Sequence, residues 1–361
     1  MKGTLFMGNY YDGTKLLSLK DCNGNVPEIY ICTTNRTGGK TTYFGRLLVK
    51  RFLEGKGKFV ILYRFKYELK DCADAFFKDI GSLFFPEYNM RSEPRREGTF
   101  HELFLYKKKE TDTKKPGASC GYAIPINSAD QVKKISHMFS DVNRILFDEF
   151  QSETFNYCSD EVNKFISIHT SIARGQGKQS RYVPVYMISN FVTLLNPYYV
   201  DMGISTRLQS NTKFFKGEGF VLEQGWVDSA AAALQNSGFM KAFSNSKQHD
   251  YLTQQGVYLM DSTCFIEKAT GNNRYVATLK YKGKAYALRA YYDNGYIYCD
   301  DNPDMSFPVK LSVTTEDHNV NYVMLKSNIE FLAKLRFYFD KGCFRFKNLL
   351  CKEALMKALS Y

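Results

Sequence analysis

The sequence predicts an α/β chain in two parts, a mononucleotide-binding domain followed by a small α+β domain. Three stretches predict it. "TTNRTGGKTT" (33–42) sits between a strand and a helix; "ILFDEF" (145–150) is a buried strand ending in two carboxylates; and beyond residue 260 a run of strands precedes helices. At 361 residues the chain is longer than one hydrophobic core normally grows. The expected parts are a nucleotide-binding domain over 1–228, a helical linker over 229–260 and a C-terminal domain over 261–361.

The elements follow in order. "EIYIC" (28–32) is a short strand that runs into the glycine-rich loop. Phe44, Leu48 and Phe52 recur at spacing four, which predicts a helix that Gly55 ends. "KFVILYRF" gives a continuous apolar strand over Phe59–Tyr63, of the kind buried on both faces of a parallel sheet. Residues 99–123 alternate, break into a charged excursion over 107–115, and alternate again, which predicts a hairpin with a basic tip. "NRILFDEF", a helical stretch and "YVPVYMISN" continue the strand–helix alternation to about residue 200. Residues 229–260 are small, polar and helix-prone. After them "GNN", "KGK" and "DNG" turns join a strand meander. Two helices close the chain, the last with Leu350, Cys351, Ala354, Leu355, Ala358 and Leu359 on one face.

Composition narrows the function. A 44% hydrophobic content excludes a disordered chain. The net charge of +12 points to a polyanionic partner, nucleic acid ahead of an acidic membrane surface. Nine singly scattered cysteines without a C-x-x-C pair indicate reduced thiols, and the five scattered histidines offer no zinc site. "MKGTLFMGNYYDG" lacks the apolar core of a signal peptide. The uncharged stretch 182–200 contains Pro184, Asn190, Asn196 and Pro197, so it reads as a buried strand and turn, not a membrane span.

The chemistry lies in the first part. A phosphate loop needs backbone N–H groups at a helix N-terminus, a lysine for the β- and γ-phosphates and a hydroxyl for Mg²⁺. Lys40 and Thr41 supply the last two, and Gly38 and Gly39 allow close approach of the backbone. Thr34 departs from the motif, because it holds the position of the first glycine. Thr34, Asn35, Arg36, Thr37, Gly38, Gly39, Lys40, Thr41 and Thr42 are therefore the candidate ATP-binding loop. In "ILFDEF", Asp148 is the candidate Mg²⁺ ligand with Thr41, and Glu149 the candidate base for the attacking water. Ser189–Asn190 at the end of the next strand is placed to sense the γ-phosphate. Arg174 and Arg181 flank "GQGKQS"; either could stabilise transferring phosphate from a neighbouring subunit, or contact solvent or DNA.

Taken in order, these motifs resemble the DNA encapsidation ATPases of small, protein-primed, short-tailed phages, which are large-terminase-like P-loop motors. Arg36, Gly39, Lys40 and Thr41 match that family's loop, Phe147–Phe150 its acidic strand, and Ile188–Asn190 with Asn196–Tyr199 its "LSN…NPYF" segment. "YRFKYEL" (63–69), "GYAIP" (121–125), "FIEK" (265–268) and "GCFRF" (342–346) match further stretches, so the resemblance spans nearly the whole chain. It implies an additional-strand, RecA-like ATPase domain and a C-terminal domain with a vestigial RNase H-like nuclease fold. It also implies a homopentameric ring at the portal vertex that uses ATP and Mg²⁺ to drive double-stranded DNA into a prohead, with the portal (connector) protein and a phage structural RNA as partners. Such a protein acts in the host cytoplasm, transiently at the prohead, and is absent from the mature virion. Lys40, Glu149 and a trans-acting arginine, best matched by Arg174, would carry catalysis. Lys66 matches a lysine near the DNA channel; Lys107, Lys108 and Lys109 of the hairpin tip are further nucleic-acid candidates, and a second trans-acting basic residue falls around Lys133 or Lys134. Glu267, Asp293, Asp300 and Asp301 are the available nuclease carboxylates, but they fall mostly in turns, which predicts a nuclease-like fold without activity. The alternatives are a terminase with a live nuclease, or a non-hydrolysing nucleic-acid scaffold of the vertex.

Overall fold

The computed structural model describes residues 10–108, 117–154, 156–208, 211–255 and 257–359. The chain divides into two compact units, Met1–Thr193 with Leu208–Met260, and Leu194–Arg207 with Asp261–Tyr361.

The first unit is built on one sheet. Its strands are β1 (Ile29–Thr34), β2 (Lys58–Tyr63), β3 (Tyr88–Arg95), β4 (Phe100–Lys107), β5 (Ala118–Pro125), β6 (Val142–Asp148), β7 (Val185–Asn190), β8 (Phe214–Gly217) and β9 (Phe220–Gln224). They lie in the order β3-β4-β5-β2-β6-β7-β1-β9-β8. The middle of the sheet, β5 through β9, is parallel. β3, β4 and β8 add antiparallel edges. The apolar run Phe59–Leu62 is buried throughout, as a parallel strand covered on both faces must be. The helices α1 (Thr14–Ser18), α2 (Lys40–Leu53), α3 (Cys72–Phe84), α4 (Ala129–Lys134) and α5 (Glu161–Ile172) accompany it. Phe44 and Leu48 of α2, four apart, share one core cluster with Cys32, Ile61, Leu146 and Ile188 from four different strands.

The expected additional-strand layout is present: β7 is inserted between loop-bearing β1 and carboxylate-bearing β6. β4 and β5 form the expected hairpin, and its tip, residues 109–116, lies outside the described residues. Sequence reading missed β3, β8 and β9, which extend the sheet on both sides.

The segment 229–260, expected as a linker, falls within the first unit, and 194–207, expected in the first domain, goes with the second. The physical reason is side-chain anchorage. Helices α7 (Asp228–Asn236), α8 (Gly238–Ala242) and α9 (Lys247–Thr253) bury Ala231, Met240, Tyr251 and Leu252. Beyond them the Tyr258 hydroxyl donates to Gln224, and the N–H groups of Leu259 and Met260 donate to the carbonyls of Phe191 and Val192.

In the second unit, residues 194–207 carry the short helix α6 (Pro197–Asp201), capped by the Asn196 side chain. The sheet there comprises β10 (Arg274–Tyr281), β11 (Lys284–Tyr291), β12 (Tyr296–Asp300), β13 (Lys310–Ser312), β14 (Val323–Met324) and β15 (Phe344–Phe346), in the order β14-β13-β10-β11-β12-β15. The β10–β12 meander is antiparallel, while β13 joins β10 and β15 joins β12 in parallel. Helices α10 (Ile329–Asp340) and α11 (Leu349–Leu359) complete it, and Cys351, Ala354, Leu355 and Ala358 of α11 enter its core. No helix among the described residues is long and apolar enough to cross a membrane.

Gly121 shows how tight the parallel sheet is. A Cβ there would lie 2.2 Å from the Phe59 carbonyl oxygen on β2, an atom that cannot move without opening the ladder. Gly121→Ala should destabilise the first unit by about 1–3 kcal/mol, read as a lowered urea midpoint; an unchanged midpoint would refute the close approach.

Candidate active site

The C-terminal ends of β1, β6 and β7 bring the predicted chemistry together. β1 ends at Thr34, in register with Asn190 at the end of β7, and Asp148 at the end of β6 pairs with Ile188. The loop 35–39 turns directly into α2, with Gly39 as its N-cap in the left-handed region (φ 88°). Thr37 is also left-handed (φ 62°), whereas Thr34 is not. The bend is therefore made late in the loop and asks no strain of Thr34.

The loop is fastened from outside. Asn35 brackets the backbone of Val227, donating from Nδ2 to its carbonyl and accepting from its N–H, both at 3.0 Å. The Gly38 carbonyl accepts from the Tyr11 N–H at 2.7 Å. The Thr34 hydroxyl donates to the Asn35 carbonyl at 2.9 Å. A Cβ on Gly38 would sit only 3.2 Å from that hydroxyl oxygen, so the space Thr34 occupies is space Gly38 leaves open.

Lys40 is 8% exposed, and its Nζ donates to Asn190 Oδ1 at 2.7 Å. Burial lowers the pKa of this ammonium, and Asp148 acts against that shift. Asp148 answers in kind: burial lifts its carboxyl to about 6, while Lys40 and a hydrogen bond from Thr41 pull it down. Asp148 nevertheless keeps part of its surface exposed. Lysine, hydroxyl and carboxylate thus stand in the arrangement that a Mg²⁺-triphosphate requires.

Glu149 follows in left-handed backbone (φ 52°), and its N–H donates to Asp148 Oδ1 at 2.9 Å. This turn swings the exposed Glu149 into a cleft of about 240 Å³ shared with Arg36, Arg64, Glu153 and Asn190. The conformation is unfavourable for a residue with a Cβ and needs external support. Arg64, at the end of β2, supplies it, donating to the carbonyls of Glu149 (3.2 Å) and Phe150 (2.9 Å). Its Nε is paired at 2.9 Å with buried Glu161, the first residue of α5, which also accepts from the Cys158 N–H. Sequence reading missed Arg64; an arginine ending an otherwise apolar buried strand was the available signal. It also missed Glu153, which accepts from Asn190 Nδ2 at 3.2 Å and lies 4.0 Å from Arg36.

Other candidates lie elsewhere. Lys66 follows β2 on a 3₁₀ turn and donates to the Glu97 carbonyl at 3.0 Å. Lys107 and Lys108 are exposed at the end of β4, Lys109 falls outside the described residues, and Lys133 and Lys134 are exposed at the end of α4. Arg174 is exposed in the hairpin-like segment before β7, beyond the N-terminal ends of the strands, and does not join Lys40 and Asp148 within the chain. Arg181 is buried and donates to the carbonyls of Ile172 (2.8 Å) and Val142 (3.2 Å), which commits it to structure.

The chain is similar to known proteins over nearly its whole length. The family model described as "Podovirus DNA encapsidation protein (Gp16)" matches residues 7–359. A DNA packaging protein of Bacillus phage phi29 is 23% identical over 309 residues, covering 84% of this chain and 85% of the relative. That of Bacillus phage B103 is 25% identical over 327 residues, covering 90% and 92%. Among solved structures, a chain of the bacteriophage phi29 genome packaging motor assembly superposes with a TM-score of 0.69 at 22% identity, covering 97% of this chain and 99% of that one. A chain of the phi28 gp11 DNA packaging motor gives 0.56 at 14% identity, with 98% of each covered.

Two outcomes follow from the site. Arg64→Ala takes the guanidinium away from the buried Glu161 carboxylate and from the Glu149 and Phe150 carbonyls, and should cost about 3–5 kcal/mol in chemical denaturation; a loss below 1 kcal/mol would refute the clasp. Asp148 has its folded-state pKa raised above the unfolded 3.8, so the folded protein gains stability as pH falls from about 6 toward 4, and its charged form is a burden above 6. Without nucleotide, Asp148→Asn should therefore raise Tm at pH 7.5, and the gain should shrink below pH 6; a gain independent of pH would contradict the burial.

Proposed function

This chain belongs to the Podovirus DNA encapsidation protein (Gp16) family, and from that premise we propose that it is an ATP-driven translocase that packages double-stranded viral DNA into a prohead through the portal vertex. The observation that carries the reading is the convergence of Lys40, Thr41, Asp148, Glu149 and Asn190 at the ends of three adjacent strands.

Each residue has a task there. The loop N–H groups at the start of α2 and the Lys40 ammonium bind the phosphates, and Thr41 with Asp148 would hold Mg²⁺. Bound Mg²⁺ neutralises charge on the phosphoryl oxygens. Glu149, held in place by Arg64 through its own carbonyl, orients the attacking water and accepts its proton. Asn190 holds Lys40 on one side and Glu153 on the other, so a phosphate that draws Lys40 away changes the partners of Glu153.

Arg174 acts from a neighbouring subunit. Its position beyond the opposite ends of the strands keeps it from its own site, and the buried Arg181 is spent on backbone carbonyls. This supports a ring with nucleotide sites between subunits, a homopentamer on the family pattern, docked on the portal protein and a phage structural RNA. Lys66 and the basic β4–β5 tip are the DNA-gripping candidates. The protein works in the host cytoplasm, at the prohead, and leaves before the virion matures. The second unit reads as a nuclease fold without cutting activity, because three of its four candidate carboxylates carry cations, Asp300 pairing with Arg289 at 2.7 Å, Glu267 with Arg345 at 2.9 Å and Asp301 with Lys347, while the fourth, Asp293, is exposed on the turn between β11 and β12.

Lys40→Ala and Glu149→Gln should each abolish DNA-stimulated ATP hydrolysis on proheads, and an active Glu149→Gln protein would sink the assignment. Arg174→Ala should be inactive alone yet regain hydrolysis when mixed with Lys40→Ala protein, since mixed rings contain sites with both native residues. Failure of that rescue would place Arg174 outside the reaction.

A further inference from the structure

The cleft that holds Glu149 and Asn190 accounts for the phosphates but not for the rest of a nucleotide. A separate cavity of about 310 Å³ opens between α2, the last two turns of α3 and the segment Tyr10–Tyr11. That volume lies within the ~300–1,000 Å³ range of small-molecule sites. Gly39 and Thr42, from the first turn of α2, belong to its wall, so the cavity begins where the phosphate loop ends.

Its walls suit a flat ring. The Arg46 guanidinium lies 4.5 Å over the centre of the Phe84 ring. Tyr43 meets Tyr11 edge-on at 5.7 Å, and the Tyr10 ring lies so close to Gly39 that a Cβ there would be 3.0 Å from it. Aromatic faces with a guanidinium among them bind a planar heterocycle by stacking. The polar groups on the α3 side are acceptors. Asp79 offers a carboxylate, and the Ser82 hydroxyl already donates to the Asp79 carbonyl at 2.9 Å, which leaves its lone pairs free to accept. A ring that turns an exocyclic amino group toward α3 satisfies these acceptors, while one that turns a carbonyl there meets a negative charge.

We propose that this cavity is the base pocket of the nucleotide site and that Asp79 makes it selective for a 6-aminopurine. The inference rests on the reading of the protein as an ATP hydrolase and assigns the base-reading residue of that site.

The test compares ATP with ITP, which carries a carbonyl in place of the 6-amino group, in hydrolysis by the full-length protein on proheads. The unaltered protein should prefer ATP by about 2- to 5-fold in kcat/KM, the range of one contact to an exposed, solvent-screened carboxylate. Asp79→Ala should bring the ratio close to one, and Asp79→Asn, whose amide can donate, should tilt it toward ITP. Leu83→Trp, which fills the pocket from an exposed position, should raise the KM for ATP without changing competitive inhibition by tripolyphosphate. A preference for ATP that survives both Asp79 substitutions overturns the proposal. So does ATP quenching of Trp226, the single tryptophan, that tripolyphosphate does not reproduce and Asp79→Ala leaves intact, because Trp226 lines a different recess with Tyr10 and Glu223. If the unaltered protein neither binds nor hydrolyses ATP or ITP, the reading of the protein as a nucleotide hydrolase falls, and this pocket with it.

Discussion

A nearly buried lysine ammonium sets the terms for the rest of the first unit. Removing such a charge from water is unfavourable by several kcal/mol unless acceptors surround it. Lys40 finds them in Asn190 at 2.7 Å and in the field of Asp148. Those partners belong to β7 and β6, so the strand after the phosphate loop cannot be β1's neighbour in space. β7 must come between, in a register that sets Asn190 opposite Thr34. The same burial that weakens the lysine as a cation weakens Asp148 as an anion. Each favours the charged form of the other.

The second constraint is the left-handed turn at Glu149. A side chain that must project from a strand end into a cleft needs its backbone held, and Arg64 holds it by two carbonyls while Glu161 holds Arg64. Two residues along the chain, Lys66 reaches the Glu97 carbonyl on the β3–β4 turn. The backbone that presents the Glu149 carboxylate and the basic turn at the sheet edge are thus borne by one short piece of chain.

The legible parts of this protein were those governed by local chemistry. The phosphate loop, the acidic strand end and the buried apolar strands each declare themselves within a few residues, because backbone geometry and strand burial fix which side chains fit. Arg64, Glu153 and the roles of Arg174 and Arg181 were not legible, since they depend on which strand ends meet. Spacing alone left the two arginines equivalent; burial against the Ile172 and Val142 carbonyls separates them. The segment 229–260 misled for a related reason. Its anchors, Tyr251 and Tyr258, are few and widely spaced, and their burial depends on surfaces distant in sequence. The edge strands β3 and β8 have half-exposed patterns that carry weak periodic signals.

The loop's irregular first position gains a general meaning from its neighbour. Thr34 places its hydroxyl beside the space that Gly38 leaves open, and the left-handed backbone of the loop falls at Thr37 and Gly39. This loop keeps a small open volume at residue 38 and gathers its bending at Thr37 and Gly39. A larger residue 38 would press at once on the Val227 side chain (3.1 Å), the Asn35 carbonyl (3.2 Å) and the Thr34 hydroxyl (3.2 Å), so the open volume is set by three neighbours together. Loops that fail the usual spelling can satisfy the same steric sum.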